Sequence, residues 1–305
     1  MAREFAPGVE AAPSELIHAR PDKTQTGFAP AGRVSTHLWG ANRSVFRGRG
    51  MEYAESRAYS PGDEPRTIDW RHTARTGRTY TKLYHEERER PVFLLVDLRE
   101  AMQFGTVRRF KAHLAAEIAA MLAWTAHDGG DRVGALILTR RGLDEVAPSR
   151  SRAALLALLR RLSDGTLTDM EPGNEPDMAN ALKRLTKVCR PGTLVFVVGD
   201  FADLDGAVET EFQRLSRRAH VTCIALHDRM EADLPPRGGR ISDGASAISV
   251  TRLGTPDRSR HHESFADRQT RLANLCGRLG MARHVLSTAD EAKSILVPRT
   301  GRKRA

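Results

Sequence analysis

Residues Val92 to Val96 are uninterrupted apolar side chains, and the run ends in a carboxylate at Asp97. A short continuous run of this kind, without alternation, predicts a strand covered on both faces. Three further runs share the character: Asp131–Thr139 (DRVGALILT), Pro191–Asp200 (PGTLVFVVGD) and Val221–Leu226 (VTCIAL). Between them the apolar period changes to three or four, the spacing of one helical face. Val107, Phe110, Leu114, Ile118, Met121, Leu122 and Thr125 form one such face, and a leucine-rich stretch covers Ser151–Leu162. Met178, Leu182 and Leu185 mark a helix over Asp177–Val188, and Leu204, Val208, Phe212 and Leu215 mark another. Strands alternating with helices imply right-handed crossovers and a mostly parallel sheet with helices on both faces.

The flanks read differently. Residues 1–32 are rich in Pro, Ala and Gly without a period, which predicts a largely disordered leader. Residues 33–90 are polar and arginine-rich with scattered aromatics, punctuated by the turn signal Ser60-Pro61-Gly62-Asp63. Ile68 and Trp70 alternate with Asp69 and Arg71, so this stretch predicts a small β-rich cap. The main α/β domain is expected over 91–298. Within it, Asp243-Gly244 between two β-prone runs predicts a two-residue hairpin. A polar helix at Asp257–Leu279, a strand at Ala282–Leu286 and a short helix at Ala289–Leu296 follow, and residues 299–305 form a basic tail.

The chain has 305 residues, enough for a substantial core, and a net charge of +10 spread along its length. Such a charge suits anionic partners, but a solvated basic surface is the expected reading of it. No apolar run reaches membrane-spanning length and no secretory signal is visible, so the expected address is the cytoplasm. Cys189, Cys223 and Cys276 are far apart and odd in number; they are expected to be buried small hydrophobes rather than zinc or disulfide cysteines. Nucleophile-elbow, phosphate-loop and zinc-protease patterns are absent, and His261-His262-Glu263 lacks a second histidine at metal spacing. No enzymatic activity is expected.

Asp97 and Asp200 both end buried strands, which delivers them to the rim where open α/β sheets bind ligands. The alternation with Asp97 at the first strand end resembles the von Willebrand factor A-like fold. That resemblance implies a divalent cation held by Asp-x-Ser-x-Ser, a later threonine and a second aspartate. Asp97 and Asp200 match its first and last positions, but Arg99 and Ala101 stand at the serines and Pro176 at the threonine. The two carboxylates and water could hold Mg²⁺ only weakly. A degenerate site is therefore expected, with no cofactor, and with the Arg99 guanidinium bridging Asp97 and Asp200 in place of a metal.

The upstream segment narrows the family. Gly50-Met51-Glu52-Tyr53, then Arg57 to Asp63 (RAYSPGD), then Arg66-Thr67-Ile68-Asp69-Trp70, then Ala74-Arg75-Thr76, resembles in fixed order the signature of the bacterial family called domain of unknown function 58. With the sheet domain the resemblance covers about residues 43–297. It implies a non-catalytic adaptor that acts beside a MoxR-type AAA+ ATPase, and with other proteins of the same operon, in assembling client proteins. Arg57, Tyr59, Asp63, Arg66, Asp69, Trp70 and Arg75 are candidates for a partner-docking surface, or for an ion-pair network that holds the cap together. Two other functions stay open. One is nucleic-acid binding by the basic surface, which the glycine- and arginine-bearing Phe46–Tyr53 suggests less well than the signature explains it. The other is a metal-dependent adhesion-type module.

Overall fold

The computed structural model describes residues 3–21, 51–60, 68–86, 91–169, 173–235, 239–242 and 247–296. The chain divides into two compact units: Met1–Asn42 with Arg90–Ala305, and Arg43–Glu89.

The larger unit is built on a six-stranded sheet. Its strands are β3 (Pro91–Leu98), β4 (Arg132–Thr139), β5 (Gly142–Ser149), β6 (Thr193–Gly199), β7 (Ala219–His227) and β10 (Ala282–Ser287). The order is β10-β7-β6-β3-β4-β5, parallel throughout except for β5, which returns antiparallel along β4. This is the expected α/β class. The apolar runs are strands because each is buried on both sides. Val92, Leu94, Val96 and Leu98 face one apolar layer with α3 (Lys111–Asp128) and α4 (Arg152–Gly165). Phe93 and Leu95 face the other, with α5 (Met178–Val188), α6 (Gly206–Ser216) and α8 (Thr255–Leu279). The cysteines are free and buried, as their apolar surroundings predict.

Several expectations need correction. The leader is ordered over residues 3–21, and α1 (Pro13–His18) lies against α3 and α4. One turn and a half of helix is too short to show a period, yet Ala11 and Leu16 are fully buried. The Trp124 indole donates to the Leu16 carbonyl at 3.1 Å, and Arg20 forms a two-pronged pair with Asp128 at 2.8 Å. Residues 22–32 lie outside the described residues. Helix α3 starts at Lys111, so Val107 is 64% exposed rather than on its apolar face. Strand β5 carries no unbroken apolar run because it is an edge strand, half-buried along nearly all its length. The late hairpin exists as β8 (Arg240–Ser242) and β9 (Ala247–Ser249), while its turn, with Asp243 and Gly244, lies outside the described residues. The last helix shortens to a 3₁₀ turn at Ala292–Ile295. The basic tail lies outside the described residues.

The smaller unit contains an antiparallel pair, β1 (Met51–Ala58) and β2 (Tyr80–Glu86), with α2 (Trp70–Thr76) between them in the chain. The alternation at 68–71 thus belongs to a helix start, not a strand. Asp69 decides this: its carboxylate accepts from the His72 amide at 3.1 Å and caps the first turn. Gly77 closes the helix in the left-handed region at φ 71°.

Candidate functional site: a cation-locked rim

The strand order reverses at β3: β4 lies on one side of it and β6 on the other. The carboxyl ends of β3 and β6 therefore flank the switch point where such sheets place their ligands. Asp97 sits there with its side chain 2% exposed. Gly199 on β6 makes room for it, since a Cβ at that position would come 3.0 Å from the Cβ of Asp97. Just past the strand, Phe201 adopts a left-handed backbone at φ 54°, and the Asp200 carboxylate accepts from the Ala202 amide at 3.0 Å. A non-glycine residue in that region is strained, and the burial of its ring beside Phe212 holds it there.

Two cations hold the carboxylates of this rim. Arg99 forks onto Asp97, with Nε to Oδ1 at 2.9 Å and Nη2 to Oδ2 at 2.6 Å, and its own amide adds a third contact at 3.1 Å. Its Nη1 reaches Asp203 at 3.0 Å and the Pro176 carbonyl at 3.3 Å. The expected bridge is thus corrected in its second partner: Arg99 links Asp97 to Asp203, not to Asp200. Asp200 belongs to Lys111, whose Nζ lies 2.8 Å from Asp200 Oδ2 and 2.7 Å from Glu231 Oε1. Glu231 stands on α7 (Arg229–Ala232), and its other oxygen accepts from the Asp228 amide at 2.8 Å. Asp228 is fully buried and accepts from Thr106, Thr288 and Met230. It thereby ties three segments beneath the rim.

The electrostatics follow from burial against pairing. Burial pushes the Asp97 carboxyl above the usual range, with Asp200 adding repulsion and Arg99 opposing both. Burial works against the Arg99 guanidinium, but Asp97 and Asp203 outweigh it and keep the group charged. Lys111 is almost wholly buried, yet Asp200 and Glu231 raise its pKa above the ordinary lysine value against that desolvation. For Asp228, burial is overcome by the donated hydrogen bonds, and its carboxyl falls below the usual range.

The residues present do not fit a divalent cation. Arg99 and Lys111 hold the two strand-end aspartates, and Ala101 and Pro176 bring no side-chain oxygen. Among the described residues no group of three or more His, Cys, Asp or Glu could hold a metal. An open cleft of about 630 Å³ adjoins the rim through Pro176, and Leu143, Asn180, Lys183 and Lys187 help line it.

Lys111, Asp203 and Glu231 were not singled out from sequence. Lys111 had a signal: it stands one helical turn before Leu114 on the apolar face of α3, where a lysine needs a buried anion. Asp203 and Glu231 follow strand ends by a few residues and look like ordinary loop and helix carboxylates.

The signature residues are placed unevenly. Arg57 lies on β1 opposite Thr81, the half-buried Tyr59 donates its amide to Thr79, Asp69 caps α2, and Trp70 and Arg75 are exposed on that helix. Asp63 and Arg66 lie outside the described residues. His261 is half-buried and His262 exposed, and the two contact α7 and the residue that follows it, through Met230, Ala232 and Asp233.

The sheet and its rim define the class: an α/β domain with a switch-point site closed by its own side chains. Solved structures similar to it include proteins of several kinds. One is the Rpn10 VWA domain (10% identity, TM-score 0.39, covering 68% of this chain and 94% of that one). Others are BatB from Bacteroides thetaiotaomicron (13%, 0.38, 62% and 98%) and an aerotolerance-related membrane protein from Bacteroides fragilis (15%, 0.42, 67% and 94%). The chain belongs to the family described as "Protein of unknown function DUF58", which matches residues 55–272. Uncharacterized proteins of Mycobacterium bovis and Mycobacterium tuberculosis are 29% identical to it over 212 residues, a span of 69% of this chain and 65% of theirs. No helix among the described residues is long and apolar enough to cross a membrane.

Proposed function

We propose that the chain is a non-catalytic, metal-independent adaptor that works in the cytoplasm with a MoxR-type AAA+ ATPase to assemble or mature other proteins. The observation that carries the metal-independent part is the lock of Arg99 on Asp97 and Asp203 and of Lys111 on Asp200 and Glu231. With each strand-end aspartate already held by a fixed cation, no divalent ion is required to bring the two carboxylates together. The same lock argues against hydrolysis by a carboxylate pair, because a general acid or base must be free to exchange its proton. The ATPase partnership is supported by the family resemblance alone.

The test is affinity capture of the tagged full chain from its native cytosol, with Mg²⁺ and with EDTA in parallel, read by mass spectrometry. Recovery of an AAA+ ATPase in both arms is expected. Recovery lost in EDTA and restored by Mg²⁺ at fixed nucleotide would overturn metal independence, provided the ATPase alone keeps its fold in EDTA. An eluate dominated by nucleic acid would overturn the adaptor reading.

A further inference from the structure

We propose that helix α2 presents a docking face for an acidic protein segment carrying one apolar anchor. This rests on reading the chain as an interaction protein, but not on the identity of the ATPase.

Trp70 opens α2 and is 70% exposed, the most exposed of the large hydrophobic side chains whose burial is described. Monomeric proteins seldom leave an indole in water, because it is the side chain with most to gain from burial. Arg71 follows it, Arg75 stands one turn further on the same face, and Arg78 comes directly after the Gly77 cap. All three are exposed, and among the described residues none makes an ion pair. Elsewhere the chain pairs its arginines readily: Arg3, Arg20, Arg99, Arg184 and Arg278 each have a carboxylate. Asp69 is the adjacent carboxylate in sequence, but it is buried and turned to the helix N-terminus.

Tryptophan and arginine are the residues that dominate binding energy at protein interfaces. Unpaired guanidinium groups select a partner of opposite charge and speed its approach. A nucleic-acid strand is also anionic, but such strands are bound on successive aromatic platforms. Among the aromatic side chains of this unit whose burial is described, Trp70 alone is exposed: Tyr59 and Tyr80 are half-buried, and the Tyr80 ring lies 4.2 Å from that of His72. One indole beside three guanidinium groups suits a single side-chain anchor flanked by Asp or Glu.

The experiment pans a random peptide library on the full chain and measures the selected peptides against variants. The variants are Trp70→Ala, Arg75→Glu, and the triple reversal Arg71→Glu/Arg75→Glu/Arg78→Glu, each checked for an unchanged circular dichroism spectrum. The expected peptides carry an excess of Asp and Glu around one aromatic or branched residue. Their affinity should fall about tenfold or more in Trp70→Ala and in the reversal, and it should weaken with added salt. If the triple reversal does not fold, Trp70→Ala and Arg75→Glu alone decide. Peptides without acidic excess, peptides indifferent to these variants, or no enrichment at all would overturn the proposal. So would an oligothymidylate that binds more tightly than any peptide and is lost in the reversal. Selected peptides indifferent to α2, with ATPase capture intact, would sink this surface and leave the adaptor reading standing. Failure of both experiments would sink both.

Discussion

Replacing Lys111 with methionine is the sharpest test of the cation lock. Methionine keeps an unbranched apolar stem of four atoms and lacks only the terminal ammonium, so it removes charge with little change in packing. Lys111 is 1% exposed at its side chain, and its partners Asp200 and Glu231 are 8% and 21% exposed. The variant leaves two carboxylates close together with no counter-charge and little water. Breaking a buried pair in this way costs roughly 3–5 kcal/mol, and at roughly 2–4 °C per kcal/mol the melting temperature should drop by about 6–20 °C. The loss comes from the stranded anions rather than from the missing lysine. Neutralising them as well, in Lys111→Met/Asp200→Asn/Glu231→Gln, should therefore recover most of it. The assay is thermal unfolding followed by far-ultraviolet circular dichroism. A single variant within about 1 kcal/mol of the parent, or a triple variant no more stable than the single, would refute the reasoning.

Three further outcomes follow from the same geometry. Arg99→Ala should cost roughly 3 kcal/mol or more, and millimolar Mg²⁺ should not restore it, because Lys111 still holds Asp200; melts with and without MgCl₂ check this, and a Mg²⁺-dependent rise would count against it. His113 is held below its usual pKa by burial, against the pull of Glu15 and Glu117. The unfolded chain protonates near about pH 6.5 while the folded chain resists, so stability is complete above that pH and falls below it. His113→Gln should flatten the melting temperature between about pH 7 and 5, and an unchanged slope would exclude His113 as a source. Leu16→Ala should cost about 2–5 kcal/mol locally and speed hydrogen exchange in residues 3–21 ahead of the sheet; uniform protection would mean the segment does not open as a unit.

The strands at 91–98, 132–139, 193–199 and 219–227 were legible because a continuous apolar run has one economical fate in a soluble domain. Asp97 and Asp200 could be sent to the rim for the same reason: each ends such a run. Strand β5 and helix α1 escaped notice because an edge strand and a helix of one turn and a half bury too little to leave a period. At 68–71 the alternating pattern was real but misleading. A single cap at Asp69 outweighs four residues of strand-like alternation, since it satisfies an otherwise orphaned helical amide.

The sequence by itself determined the alternation of elements, the presence of two strand-end carboxylates, and an arginine two residues after the first of them. Those are local properties, carried by period and residue type. Only the tertiary structure decided which cation answers which carboxylate. Arg99 meets Asp203 across 104 residues and Lys111 meets Asp200 across 89. The order of strands around β3 sets these pairings, and charge acts through space rather than along the chain. The same sequence with another strand order would bring other charges together, and no local pattern distinguishes the two.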